Sequence, residues 1–236
     1  MEYLSYRAPY IAIVFFLTTC LAVFLFYKAA HYSKRFIVTM SLFLLVQAVL
    51  GYLKFYTNTH AIPLRFIYLV LPPLILIIVL FFKKKGLQYI DNLDLGTLTI
   101  LHVVRVLVEI VFYWLFQHKV VPKLMTFEGS NFDIISGLTA PIIYYLCFVK
   151  NILGKTALLI WNFICLGLLL NAVIIAVLSA PFSFQRFALD QPNVAILYLP
   201  YIFLPCCIVP IVLLSHLAAI RQLILKTEST RVAYYY

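Results

Sequence analysis

The chain has 236 residues, of which 65% are hydrophobic, 17% are aromatic and only 11% are charged. A water-soluble domain carries about 25% charged residues, and disordered, collagen-like and disulfide-scaffold proteins need abundant charge, a Gly-X-Y repeat or dense cysteine. These classes are excluded, and a polytopic membrane protein remains. The chain also carries 18 Lys and Arg residues against 8 Asp and Glu, a formal net charge of +10 whose position along the chain decides its meaning.

Long uncharged stretches predict helices that cross the ~30 Å hydrocarbon layer of a bilayer, which takes about 20 apolar residues. Seven such stretches predict an all-α, seven-helix integral membrane bundle that forms one domain over residues 1–236. The predicted spans are 8–27, 36–55, 64–82, 95–117, 134–149, 156–182 and 194–220. Span five is short, and spans six and seven are long enough to tilt or bend.

The bases predict which side of the membrane each loop faces. Eleven bases follow spans one, three, five and seven, namely Lys28, Lys34, Arg35, Lys83, Lys84, Lys85, Lys150, Lys155, Arg221, Lys226 and Arg231. Six lie at the opposite ends, namely Arg7, Lys54, Arg65, Lys119, Lys123 and Arg186. Because cytoplasmic loops carry the excess of Lys and Arg, we expect the N-terminus outside and the C-terminus in the cytoplasm.

The basic excess is therefore a topology signal, and no nucleic-acid partner is predicted. The expected partner is the lipid bilayer, and the expected location is the inner (plasma) membrane of a bacterium. A second role for Lys83, Lys84 and Lys85 in holding anionic headgroups stays open, although orientation alone explains three bases better than a dedicated lipid-binding cluster does.

Known signatures of metal, cofactor or soluble catalytic sites are missing from the sequence. The five histidines lack H-E-x-x-H spacing, and neither a Gly-rich phosphate loop nor a G-x-S-x-G elbow occurs. All five cysteines fall within predicted spans, where we expect them to be packing residues. No metal and no cofactor is predicted, so any chemistry takes place in the membrane or at its faces.

Span four carries ionic groups in its middle. His102, Arg105 and Glu109 are spaced i, i+3 and i+7, which places them in one stripe of a helix. Arg105 lies near the centre of the span, where inserting an arginine costs about 2.5–3.5 kcal/mol, and Glu109 one turn away is the expected partner. We favour a functional site, because ionisable groups inside a membrane usually mark one. The alternative is an ion pair that locks helix four to its neighbours.

The loop after span four contains Glu128, Asn131 and Asp133 around a Gly-Ser-Asn turn, just before the short span five. Our hypothesis is that this segment folds over the mouth of the bundle and contributes Glu128 and Asp133 to a vestibule above the stripe. The alternative is a solvated loop in which Asn131 or Asp133 caps helix five.

Other polar residues inside the spans are predicted to make interhelical hydrogen bonds rather than to touch a ligand. They are Gln47, Asn162, Asn171, Ser215 and His216. Spans three and seven contain prolines, which free backbone carbonyls inside the bilayer. These two helices are candidates for lining a cavity with span four.

Short matches recur in order between the two halves of the chain. Ala8-Pro9-Tyr10-Ile11 in span one corresponds to Ala140-Pro141-Ile142-Ile143 in span five. Two three-helix units joined by span four would give a layout that is similar to the SWEET and PnuC vitamin-transporter families, which implies a binding site near the membrane midplane. No family motif accompanies this layout, and no residue role is carried over.

The leading functional hypothesis is a transporter or small-ligand-binding membrane protein. Arg105 would attract an anionic or polar group, while His102 and Glu109 would hold or relay a proton. The alternative is a membrane-embedded enzyme acting on a lipid or isoprenoid, with His102 and Glu109 as acid and base. A third hypothesis is a structural or assembly subunit.

Overall fold

The computed structural model of the chain describes residues 8–62 and 64–233, and it is all-α, 72% helical and without a strand in that part. Its helices are α1 (Pro9–Ala29), α2 (Lys34–Tyr52), α3 (Ile67–Phe82), α4 (Lys84–Asp91), α5 (Leu95–Leu101), α6 (Val104–Gln117), α7 (Ile134–Tyr144), α8 (Lys155–Leu178) and α9 (Val209–Ala233). A π-helical turn over Tyr145–Val149 extends α7, and a second over Leu204–Ile208 precedes α9.

Five helical segments are long and apolar enough to cross a membrane. They are Pro9–Ala29, Lys34–Tyr52, Leu95–Gln117, Lys155–Leu178 and Leu204–Leu225. A sixth is obtained if α3 and α4, which are bent by 95° at their junction, form one broken span. The segment Ile134–Val149 is apolar but shorter than these. The length and composition of the helices thus support insertion into a membrane, with five or six spans by this measure among the described residues.

Prolines explain where the helix ends differ from the predicted spans. The predicted span 194–220 is wrong at its start, because the last helical segment begins only at Leu204. Proline disfavours the helical conformation of the residue before it, so Pro200 separates residues 194–199 from the helical segment that follows. Likewise α8 ends at Leu178, just before Pro181, instead of at residue 182.

The centre of the bundle is formed by the span Leu95–Gln117 and the final span Leu204–Leu225. In the most apolar stretch of each, 67% of the residues are buried inside the protein. Helix α1 packs along α5 and α6, while α9 packs against α8. By contrast, only 11% of the residues in the apolar stretch of α2 are buried. The buried residues of α2 are Gln47 and Gly51. The span that carries the ionic stripe is therefore among the most enclosed of the bundle.

Two loops and helix α9 meet at one end of the bundle, which we call the basic end. His31, between α1 and α2, contacts the carbonyl of Asn92 through its Nε2 at 2.7 Å. Arg221 of α9 forms a half-exposed ion pair with Asp91 at the end of α4, at 2.8 Å. Several of the eleven bases that were predicted to face the cytoplasm lie on or beside these segments. The side chains of Lys226 and Arg231 from that set lie outside the described residues, as does Arg7 from the opposite set of six.

The connections after α6 and after α8 meet at the opposite end. The Val194 amide donates to the Val120 carbonyl at 3.1 Å, and Gln191 Nε2 donates to the Val121 carbonyl at 2.6 Å. Asn171 near the end of α8 reaches the same region, where it donates to the Ser130 carbonyl at 2.9 Å. The end of the span Leu95–Gln117 and the end of α8 therefore lie together.

Helix α7 lies very close to the span formed by α5 and α6. A methyl group added at Gly137 would come within 2.7 Å of Val106 Cγ2 and 2.8 Å of the Val106 amide nitrogen, and 3.2 Å from the His102 carbonyl oxygen. Only glycine fits this contact, because a side chain would meet backbone atoms that cannot rotate away. The contact is also where the ionic stripe of the sequence lies.

Gly137→Ala is expected to lower the free energy of unfolding by about 1–3 kcal/mol, because the added methyl group overpacks the contact. Gly167→Ala is the matched control, since nothing lies within 4 Å of the added methyl group in the middle of α8. There alanine raises helix stability by roughly 0.5–1 kcal/mol. Denaturant titration of the purified protein in detergent measures both values, and equal changes at the two glycines would contradict the packing.

Candidate functional site

The span that carries the ionic stripe is broken in its middle. Residues 102 and 103 form a turn between α5 and α6. The Arg105 amide donates to the His102 carbonyl at 3.1 Å, and the Val106 amide donates to the Val103 carbonyl at 3.1 Å. These bonds join residues three apart rather than four, the tighter pattern that often marks a hinge within a helix. The break therefore coincides with two of the predicted site residues.

Asp133, and not Glu109, is the ion-pair partner of Arg105. Arg105 Nε donates to Asp133 Oδ2 at 2.6 Å, and Arg105 Nη2 donates to Asp133 Oδ1. The guanidinium and carboxylate thus meet in the two-pronged geometry that gives the strongest charge-assisted hydrogen bonds. Arg105 Nη2 also donates to the Cys165 carbonyl of α8 at 3.1 Å. The expectation that Glu109 pairs with Arg105 within the helix was wrong, because a carboxylate from the following loop reaches the Nε and Nη2 side of the guanidinium.

His216 of α9 extends this contact to another helix. Arg105 Nη1 lies 3.0 Å from His216 Nε2, and because arginine can only donate, Nε2 is the acceptor. The ring proton is then on Nδ1, which donates to Asn162 Oδ1 of α8 at 2.9 Å. Asn162 in turn donates to the Leu158 carbonyl at 2.9 Å. Each group has a defined donor or acceptor role, and His216 is neutral.

His102 lies beside these hydrogen-bonded groups, and its Nδ1 makes no hydrogen bond with the described residues. Its ring stacks on His216, with ring centroids 3.9 Å apart and planes inclined by 16°. The indole of Trp161 meets His102 edge-on at 5.5 Å and donates to Thr139 Oγ of α7 at 2.9 Å. The pair of stacked imidazoles therefore sits where α5, α7, α8 and α9 converge.

Glu109 is bound by an asparagine that also touches Asp133. Asn131 Nδ2 donates to Glu109 Oε1 and, at 3.0 Å, to the Met125 carbonyl. Asn131 Oδ1 accepts from the Asp133 amide at 3.2 Å. One amide side chain thus connects Glu109 to the residue that holds Arg105.

Two of these ionisable side chains have a buried atom without a hydrogen-bond partner among the described residues. They are Glu109, through Oε2, and His102, through Nδ1. An unpaired buried polar atom costs about 1–3 kcal/mol, so such atoms are rare in folded proteins unless a role or a bound molecule explains them. We use the name central network for this whole group, which consists of His102, Arg105, Glu109, Asn131, Asp133, Asn162 and His216.

The segment after α6 folds back into the bundle rather than remaining in solvent. Asn131 is 1% exposed and Asp133 is 7% exposed, whereas Glu128 is exposed on the loop. Helix α7 therefore begins beside Arg105, in the middle of the neighbouring span, which explains why span five is short. Asp133 precedes α7, yet its side chain makes no capping bond and is used by Arg105 instead. The loop was expected to bring both Glu128 and Asp133 toward the stripe. Asp133 lies there, whereas Glu128 is exposed and lies apart from the central network.

Three members of the central network were not assigned to the site by sequence reasoning, namely Asn131, Asn162 and His216. Asn131 was considered only as a cap of the predicted helix five. Asn162 and His216 were expected to make interhelical hydrogen bonds, and their mutual bond confirms that expectation. Their distance along the chain from Arg105 hid the connection, because His216 lies 111 residues away. Helix α3, expected to line the site because of its prolines, contributes none of the members.

Comparison with known proteins gives one match. Residues 61–224 match the family described as Domain of unknown function (DUF8737), which covers more than two thirds of the chain. The chain belongs to this family. The DUF8737 segment contains every member of the central network and excludes α1 and α2. No curated protein and no solved structure matches the chain.

Asp133→Asn is expected to lower the free energy of unfolding by about 3–5 kcal/mol, because it leaves the Arg105 charge buried without a countercharge. The control is Asp91→Asn, which removes an aspartate from the half-exposed pair with Arg221 and should cost only about 0–1 kcal/mol. Denaturant titration in detergent compares the two. The double variant Arg105→Met/Asp133→Asn should recover most of the loss, since no unpaired charge remains, and failure to recover would contradict the pairing.

Proposed function

We propose that this protein is a proton-coupled transporter of a small polar or anionic solute, with the central network as its coupling site. The observation that carries the proposal is the pair of buried ionisable atoms, Glu109 Oε2 and His102 Nδ1, beside a complete Arg105–Asp133 pair. Buried ion pairs add little net stability compared with apolar side chains of the same size. Folding alone therefore does not account for so many polar groups in one apolar bundle.

The contacts suggest how a proton and a solute are coupled. Glu109 is the proton acceptor, since Oε2 is unbonded. Protonation of Glu109 removes the charge that Asn131 binds, and Asn131 also holds the backbone amide of Asp133. A shift of Asp133 would release Arg105 to bind an anionic group of the solute. Proton binding and solute binding thus act on the same guanidinium, which is the condition for coupling.

The proposal includes the arrangement of the chain in the membrane. Seven crossings follow if the bent pair α3 and α4 is one span and if Ile134–Val149, together with the folded-in loop before it, is another. Non-helical backbone is tolerated at membrane depth when it is buried in protein, and Asn131 and Asp133 of this loop are buried. The excess of bases at the basic end supports a cytoplasmic C-terminus. The bacterial plasma membrane and the internal repeat stay predictions from sequence alone.

A second candidate function is a structural or assembly subunit. The observation that favours it is that Arg105 donates to Asp133, His216 and the Cys165 carbonyl, so its guanidinium is largely satisfied by the protein itself. In this case the central network only joins helices α5 to α9. The membrane-embedded lipid enzyme stays a prediction, and no specific contact of the described residues favours it.

Glu109→Gln is expected to abolish proton movement while keeping solute exchange, because glutamine retains the Asn131 contact but carries no titratable proton. Proteoliposomes containing a pH-sensitive dye and supplied with a panel of radiolabelled carboxylates, amino acids and nucleosides measure both. Glu128→Gln is the control, since this exposed carboxylate lies apart from the central network.

Wild-type protein should acidify the lumen with the transported solute, at a rate at least tenfold above that of Glu109→Gln. Coupled flux that persists unchanged in Glu109→Gln would refute the coupling role. Absence of flux for every solute, together with loss of stability in Asp133→Asn, would favour the structural subunit.

A further inference from the structure

Helix α4 is short and lies nearly perpendicular to α3, the helix before it. The axes of α3 and α4 differ by 95°. A 16-residue helix such as α3 is about 24 Å long, so α4 begins near the edge of the hydrocarbon layer if α3 runs along the membrane normal. Helix α4 then lies in the plane of the membrane surface.

Close packing and hydrogen bonds hold α4 in this bent orientation. A methyl group added at Gly86 would come within 2.2 Å of the Leu80 carbonyl oxygen and 2.6 Å of Leu80 Cα, so the first turn of α4 lies directly on the end of α3. At the other end of α4, Gln222 donates to the carbonyls of Ile90 and Leu93 at 2.8 and 2.9 Å. Both ends of the helix are therefore held by the bundle.

The two sides of α4 differ sharply in polarity. Gly86 and Ile90 are buried against the bundle, whereas Lys83, Lys84 and Lys85 are exposed. Phe82, immediately before them, is 85% exposed. An exposed aromatic ring next to a row of lysines is the composition of a segment that enters the headgroup layer, with the ring toward the acyl chains and the ammonium groups toward phosphates.

The acids near this helix are already used within the protein. Asp91 pairs with Arg221, and Asp94 accepts from the Thr97 amide at 2.7 Å as the cap of α5. The three lysines therefore keep their excess charge, and Lys34 and Arg35 at the start of α2 are also exposed. A negatively charged surface is the complementary partner.

We propose that α4 with Lys83, Lys84 and Lys85 is a docking surface for anionic phospholipid in the bilayer leaflet at the basic end. The proposal goes beyond the proposed transport function and does not depend on it. It revises the expectation that orientation alone explains these lysines, because the perpendicular helix on which they lie is not evident from the sequence.

The test compares lipid selectivity of the purified full chain in detergent micelles, using spin-labelled phosphatidylglycerol and phosphatidylcholine. Wild-type protein should prefer phosphatidylglycerol, and the preference should fall as salt is added. The variant Lys83→Gln/Lys84→Gln/Lys85→Gln should reduce it by about fivefold for each lysine that contacts the surface. The charge-retaining Lys83→Arg/Lys84→Arg/Lys85→Arg should keep it, which separates loss of charge from misfolding.

A variant that removes the same charge at the opposite end provides the matched control. Lys119→Gln/Lys123→Gln/Arg186→Gln replaces three exposed bases and should leave the preference unchanged. An equal loss in this control, or full retention in the triple glutamine variant of α4, would overturn the proposal. Competition by soluble glycerol phosphate at the same concentration would overturn it too, since it would indicate a pocket for the free headgroup instead of a bilayer surface.

Discussion

The ion pair between Arg105 and Asp133 is the interaction on which the rest of the bundle depends. A guanidinium in an apolar interior needs a countercharge and acceptors for its donors, and those groups come here from the loop before α7, from the Cys165 carbonyl and from His216. Satisfying one arginine therefore draws α7, α8 and α9 toward the span that carries it. Gly137 allows the approach, because its lack of a side chain lets α7 contact the backbone of that span.

The same constraint explains the irregular parts of the fold. Asp133 must reach the middle of the neighbouring span, so the chain before it folds inward and α7 starts deep in the bundle. Asn131 and Asp133 therefore belong to a non-helical stretch, and their polar side chains are buried in the bundle. The break at residues 102 and 103 lies beside the same contact. The short helix and the folded-in loop are thus consequences of one buried charge.

Charge has a different role at the surface than in the interior. In the centre, opposite charges are paired at hydrogen-bond distance and neutral amides and imidazoles complete the contacts. At the basic end, lysines at the start of α4 are exposed on a helix bent by 95° from α3, while nearby acids are bound by Arg221 and by the first turn of α5. The interior arrangement suits coupling between groups, and the surface arrangement suits contact with lipid.

Composition and spacing by themselves determined the class of the protein, most of the helices and the ionic residues of the centre. Apolar stretches locate helices because each one must satisfy its own backbone in lipid, and the stripe of His102, Arg105 and Glu109 follows from the period of one helix. The partners of these residues could not be predicted in the same way. Asp133, Asn162 and His216 lie on other helices, and only the packing of those helices decides which carboxylate reaches Arg105. Local periodicity acts within one helix, whereas a buried ion pair is selected by three-dimensional distance, which only the tertiary structure supplies.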